Sequence, residues 1–197
     1  MEHYLLLTFV EIEIRLGTSS KKFDSSVDKK YFNKIKESLN LSKGDFKNIE
    51  VLSTKEHINK NLKLINSNKS VKLIMKENVI TKTFVLNNSP FDIRFSVNQE
   101  FKLDTYIQSF SKETDTLRKK ERTSYIASDY RYDLTVVNET INNITKEKYE
   151  IEIELLVNKE TLTWSNDYIN DFIECKIYDL INIVEPMERE KFKMNLN

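Results

Sequence analysis

A chain of 197 residues can form one domain with a sizeable core, and 31 Lys plus Arg against 31 Asp plus Glu leave no net charge to draw it toward nucleic acid or membrane. The single cysteine, Cys175, excludes a disulfide framework or a zinc cluster. Only two glycines, Gly17 and Gly44, are present, which excludes Gly-rich phosphate loops and with them P-loop and dinucleotide sites. Any phosphate here must be held by side chains.

Taken in chain order, the opening YLLLTFV is too short to span a bilayer and reads as a buried strand, and with no secretory signal the chain is expected to be intracellular. VEIEIRLG at 10–17 alternates strictly, with Val10, Ile12, Ile14 and Leu16 on one face and Glu11, Glu13 and Arg15 on the other. A helix is expected over 25–40, with Val27, Tyr31, Ile35 and Leu39 at helical spacing and its serines capping the start. In VKLIMKENVITKTFV, Lys72 and Lys76 share one face, but the hairpin phase does not say which way it looks. FDIRFSVNQEF sets Ile93, Phe95 and Val97 against Arg94, Ser96, Asn98 and Glu100.

LRKKERTSY gathers Arg118, Lys120, Arg122 and Ser124 on one side, and YRYDLTVV sets Arg131, Asp133 and Thr135 opposite Tyr132, Leu134 and Val136. YEIEIEL at 149–155 then carries Glu150, Glu152 and Glu154 in a row, about 7 Å apart by the rise of two strand residues. Three such carboxylates repel one another unless cations lie between them. A second amphipathic helix is expected over 165–184, with Ile169, Phe172, Ile173, Ile177, Leu180, Ile181 and Val184 on its stripe and Pro186 beyond. Cys175 within it reads as a core-edge thiol, and His3 and His57 lack partners for chemistry. The last stretch, EPMEREKFKMNLN, reads as a tail or linker.

For one strand, a charged face usually means a solvated sheet face. Five strands with carboxylates segregated on two and arginine or lysine on three favour closure into a barrel, with charged faces lining a tunnel and apolar faces outward beneath the two helices. Carboxylates without histidine or cysteine select a hard cation, Mg²⁺ or Mn²⁺. Alternating Arg and Lys suit a string of phosphate oxygens, so the expected guest is a linear triphosphate.

In this order VEIEIRLG, DIRFSVNQE, KKERTSY, YRYDLTVV and YEIEIEL resemble the metal-dependent RNA 5′-triphosphatases of fungal and large-DNA-virus mRNA capping, within the triphosphate tunnel metalloenzymes, over roughly residues 8 to 157. The resemblance implies a mainly β fold, a closed eight-stranded antiparallel tunnel flanked by helices. It implies removal of the γ-phosphate from the 5′-triphosphate end of nascent mRNA, the first step of cap formation, with nucleoside triphosphate or tripolyphosphate as side substrates. By motif, Glu11, Glu13 and Glu154 would ligate the metal; Glu152 would orient water, with Glu150 in support. Arg94, Lys120, Arg122 and Arg131 would hold phosphates, and Asp133 would complete the lining with Arg131, with Thr135 a weaker candidate. Arg15, Glu100 and Arg118 are left out as strand-end residues, and a further family carboxylate between residues 100 and 118 is not placed.

Residues 1–197 are expected to be a single triphosphatase domain, alone or as the N-terminal part of a larger capping enzyme. No KxDG nucleophile motif occurs, so the guanylyltransferase must act from elsewhere, in cis or in trans. The compartment expected is cytoplasmic, a virus factory or virion, if viral, and nuclear if cellular; no membrane is involved. Two rival readings stand beside this one. One is a small-molecule triphosphatase of the same superfamily, whose members carry ExExK where this chain has EIEIR at 11–15. The other is a non-catalytic barrel that binds polyphosphate or RNA ends, although pairing with bases leaves a strand of three carboxylates unexplained.

Overall fold

A computed structural model describes residues 8–68, 70–103 and 116–187. His3, most of the YLLLTFV strand, most of the tail, and most of the segment 100–118 to which the resemblance assigns a further carboxylate lie outside the described residues. The described residues form nine strands: β1 Thr8–Ser19, β2 Phe23–Asp24, β3 Asn48–Asn59, β4 Leu62–Ser67, β5 Val71–Phe84, β6 Asp92–Leu103, β7 Thr116–Ile126, β8 Tyr130–Ile141 and β9 Ile144–Leu155. Helix α1 spans Lys29–Leu41 and helix α2 spans Asn166–Val184.

The strands pair antiparallel in the order β2-β1-β6-β5-β4-β3-β7-β8-β9, and β9 pairs back onto β1. Eight strands therefore close a barrel, and β2 is a short addition at the end of β1. This is the mainly β tunnel architecture anticipated from the alternation. With glycine so scarce, asparagine and lysine take the left-handed turn positions. Asn142 and Asn143 are both at positive φ in the two-residue β8–β9 hairpin, and Lys60 is so at the β3–β4 turn.

The hydrophobic core lies outside the barrel. Ile14 and Leu16 of β1, Ile93 and Phe95 of β6, Tyr132 and Leu134 of β8, and Ile151 and Ile153 of β9 pack under Phe32, Ile35 and Leu39 of α1 and Ile173, Ile177, Leu180 and Ile181 of α2. Burial of each such aliphatic side chain contributes about 1.5–3 kcal/mol. Further round the barrel the outer face is mixed: Leu64 of β4 and Leu73 of β5 are buried, while Val51, Val71 and Val79 are exposed.

Two details of the helices differ from expectation. α1 starts at Lys29, capped by Asp28, whose side chain accepts from the Lys30 amide. The serines serve the barrel instead: the Ser25 hydroxyl donates to Glu150 at 3.1 Å and Ser26 accepts from the Tyr149 amide. Val27 thus precedes the helix, and Phe32, not Tyr31, is its most deeply placed aromatic. In α2 Ser165 caps the start and Tyr178 joins the buried face.

Candidate active site

Because side chains alternate along every strand, closing the barrel brings the charged rows into one enclosed space. Register fixes the neighbours. Across β1–β9, Glu13 stands opposite Glu154 and Arg15 opposite Glu152. Across β8–β9, Arg131 faces Glu154, Asp133 faces Glu152 and Thr135 faces Glu150. Across β7–β8, Arg122 faces Thr135 and Ser124 faces Asp133. Glu11, Glu13, Arg15, Lys76, Lys120, Arg122, Arg131 and Glu152 all line a cavity of about 240 Å³. A second hollow of about 360 Å³ shares Glu13, Arg15, Lys63 and Lys76 with it and adds Arg94 and Arg118. The passage therefore has two mouths.

The glutamate row is compensated side chain by side chain. Glu150 accepts from Arg118 at 2.5 Å, Glu152 pairs with Arg15 at 2.8 Å and Arg122 at 3.1 Å, and Glu154 pairs with Arg131 at 2.6 Å. Arginine thus relieves crowding for which the alternation alone suggested a metal, and pairing accounts for a strand with three carboxylates after all. Burial alone would raise Glu152, but Arg15 and Arg122 overcome it and hold this carboxyl well below the usual range. Glu154 behaves oppositely. Burial, with Glu11 and Asp133 adding to it, pushes its carboxyl up to about 7, and the Arg131 pair does not offset them.

Arg122 reaches Asp133 at 2.9 Å, Glu152 and the Thr135 hydroxyl, while Asp133 also takes Arg131 at 3.0 Å and the Ser124 hydroxyl. Lys120 pairs with Glu56 at 3.0 Å, and burial, with Arg118 and Lys63 assisting, pulls its ammonium down to about 8. Arg94 stands apart. It faces the second mouth over the Phe23 ring at 4.8 Å, and among the described residues its buried Nε has no hydrogen-bond partner.

Every carried-over residue therefore lies on the tunnel face, with Arg94 at the opposite mouth from Arg131. Three residues set aside as strand ends also lie there, because the strands run further than the motifs suggested. Arg15 bridges Glu13 and Glu152, Arg118 is buried between Glu150 and Glu139, and Glu100 lies 3.8 Å from Lys76. Lys72 and Lys76 both face inward. Lys76 donates to Glu11 and sits 3.6 Å from Glu13. Glu56 and Lys63 line the tunnel with no warning from the sequence, since β3 and β4 mix Leu52, Ile58 and Ile65 into the same inner face.

The oxygen donors suit a hard divalent cation, and a cation beside Glu154, which burial together with Glu11 and Asp133 raises and which stands opposite Glu13, would offset that crowding. In this arrangement Glu11 is turned to Lys76 and Glu154 to Arg131, and among the described residues no three acidic side chains converge closely enough to enclose an ion.

A closed antiparallel tunnel lined by opposed carboxylates and bases defines a class of protein, and comparison with known proteins agrees with it. The family model described as mRNA capping enzyme, beta chain, matches residues 53–182, and the chain belongs to this mRNA triphosphatase family. The match takes in most of α2 and leaves out β1, so Glu11 and Glu13 lie outside it. Similar solved structures include the Schizosaccharomyces pombe Pct1 RNA triphosphatase, 18% identical over 74% of this chain and 70% of that one, with a TM-score of 0.62. The same protein in complex with the Spt5 CTD gives 16% identity over 87% and 84%, with a TM-score of 0.70. The Mimivirus capping enzyme triphosphatase gives 14% over 90% and 89%, with a TM-score of 0.59. At such identities these likenesses speak for the fold. No curated protein matches the sequence.

Proposed function

We propose that this chain hydrolyses the γ-phosphate from the 5′-triphosphate end of RNA, the first step of cap formation, inside its tunnel. The observation that carries the reading is the enclosure of opposed carboxylates and a set of arginines and lysines within one barrel of this family. Among the described residues, Arg94, Lys63 and Lys72 form no ion pair, which leaves cationic capacity for an incoming polyphosphate chain.

Arg94, Lys120 and Arg122 bind phosphate oxygens, Arg122 through its planar fork and Lys120 as a point charge. Glu152, held ionised by Arg15 and Arg122, accepts a hydrogen bond from the attacking water and orients it; so depressed a carboxylate is a weak base and serves by position. Water oxygen bonds to the γ-phosphorus as the bond from that phosphorus to the β–γ bridging oxygen breaks; one water proton stays on the orthophosphate, the other is released to solvent, and diphosphate-ended RNA leaves. Arg131 and Asp133 hold Glu154 and Arg122 in place, and Glu150 fixes Arg118. Triphosphatases of this type are metal-dependent. Glu11, Glu13 and Glu154 would hold Mg²⁺ or Mn²⁺, which when bound neutralises charge on the terminal phosphoryl group.

Guanylylation of the product falls to a separate active site, in cis or in trans. Free nucleoside triphosphate and tripolyphosphate present the same phosphate chain and are proposed as side substrates. No described helix is long and apolar enough to cross a membrane. The test is phosphate release from triphosphate-ended RNA, tripolyphosphate and thiamine triphosphate in parallel. Preference for thiamine triphosphate with RNA untouched would move the chain to the small-molecule branch, and binding without release would make it a receptor.

A further inference from the structure

On the outer wall of the barrel, Lys55 of β3 and Lys119 of β7 are direct register partners, and both are exposed. Like charges directly opposite weaken a strand pair. Neither lysine forms an ion pair among the described residues. The register extends this into one transverse row: Asn66 of β4 lies beside Lys55, and Asn138 of β8 lies beside Lys119. Asn66, Lys55, Lys119 and Asn138, with Ser53, line a hollow of about 460 Å³. Glu121 lines it too, one row along, and pairs with neither lysine among the described residues. Thr54, Ser67 and Lys120 line both this hollow and the tunnel, because β4 ends at Ser67 and leaves the first half of β3 paired on one side only.

We infer that this row is an accessory site for the phosphodiester backbone of single-stranded RNA, taking the nucleotides that follow the 5′ end while the triphosphate occupies the tunnel. Two ammonium groups flanked by amide donors match successive phosphates and sugar hydroxyls without reading sequence. Continuity over Thr54 and Ser67 gives the chain a path from the tunnel to the outer wall. The inference rests on the RNA reading of the tunnel and would give the enzyme a reason to prefer RNA over free triphosphates.

The test is Lys55→Ala combined with Lys119→Ala, neither of which touches the tunnel lining. Binding is measured with a single-stranded RNA bearing a 5′-hydroxyl, which has no triphosphate for the tunnel. The double variant should bind it several-fold more weakly, and the salt dependence of log K should become shallower by about 1.4, two phosphates at about 0.7 each. KM for triphosphate-ended RNA should rise several-fold, while kcat and the kinetics with tripolyphosphate stay as in wild type. Unchanged RNA affinity would overturn the inference, as would equal losses with tripolyphosphate, or loss of binding to an acidic peptide alone. Failure of the tunnel reading itself would show separately, as absence of phosphate release from triphosphate-ended RNA by the wild-type protein.

Discussion

Glu13 and Glu154 are register partners across β1–β9, the seam that closes the barrel, and both lie on its inner face. Burial, with Glu11 and Asp133 beside it, pushes the Glu154 carboxyl up to about 7. Replacing Glu154 by Gln should therefore leave the melting temperature unchanged or raise it without metal, while the increment caused by Mn²⁺ shrinks and phosphate release is lost. Thermal melts with and without Mn²⁺ check this; an undiminished increment would remove Glu154 from the metal site.

Arg122→Lys keeps the charge but cannot reach Asp133, Glu152 and Thr135 together as the guanidinium does. The expected loss in kcat/KM is about tenfold or more, since one ammonium replaces a bidentate fork. Equal kcat/KM in steady-state assays of both proteins would exclude a direct phosphate contact.

Gly17 has no room for a side chain: a Cβ there would lie 2.2 Å from the Asp24 carbonyl oxygen and 2.6 Å from the Phe23 ring. Gly17→Ala should cost about 1–3 kcal/mol by urea denaturation. It should also dislodge Phe23 from Arg94 and raise KM for substrate. Wild-type stability would mean that β2 detaches without consequence.

Ile151 and Glu152 are neighbours on opposite faces of β9, and both are buried, which an open sheet would not produce. Ile151→Gln should lower stability by about 1–3 kcal/mol, because it buries an amide beneath the helices. Glu152→Gln should instead remove most activity and leave the fold standing. Chemical denaturation and activity together separate the two faces.

Where one face is polar throughout and charged at intervals, as in β1, β6, β7, β8 and β9, alternation discloses the barrel and most of its lining, Arg15, Glu100 and Arg118 being the exceptions. β3 and β4 gave no such signal, because their inner faces carry Leu52, Ile58 and Ile65 among Thr54, Glu56 and Lys63, and their outer faces carry Ser53 and Lys55. In β5 the phase was unreadable for a different reason. The irregularity between Asn78 and Ile80 places exposed Val79 outside the ladder, so Lys76 and Thr81 face inward five positions apart. Ion pairing across the tunnel is a property of register, and that is why the arginine partners of Glu150, Glu152 and Glu154 emerged only with the closed barrel.

In chelator, tripolyphosphate binding should weaken as pH rises from below 7 to above 8. Glu154 gains its negative charge through about 7, and Lys120 loses its positive charge through about 8, so both changes oppose an anion. Calorimetric titrations across that interval provide the check. A flat profile would place neither group beside the phosphate chain.

The central claim is most directly tested by γ-phosphate release from triphosphate-ended RNA with Mg²⁺ or Mn²⁺, with chelator, and with Glu13→Ala. Wild type should release phosphate with metal, stop on chelation and resume when metal is restored, and folded Glu13→Ala should be inactive throughout. Release that persists in chelator, or an active Glu13→Ala protein, would contradict the account.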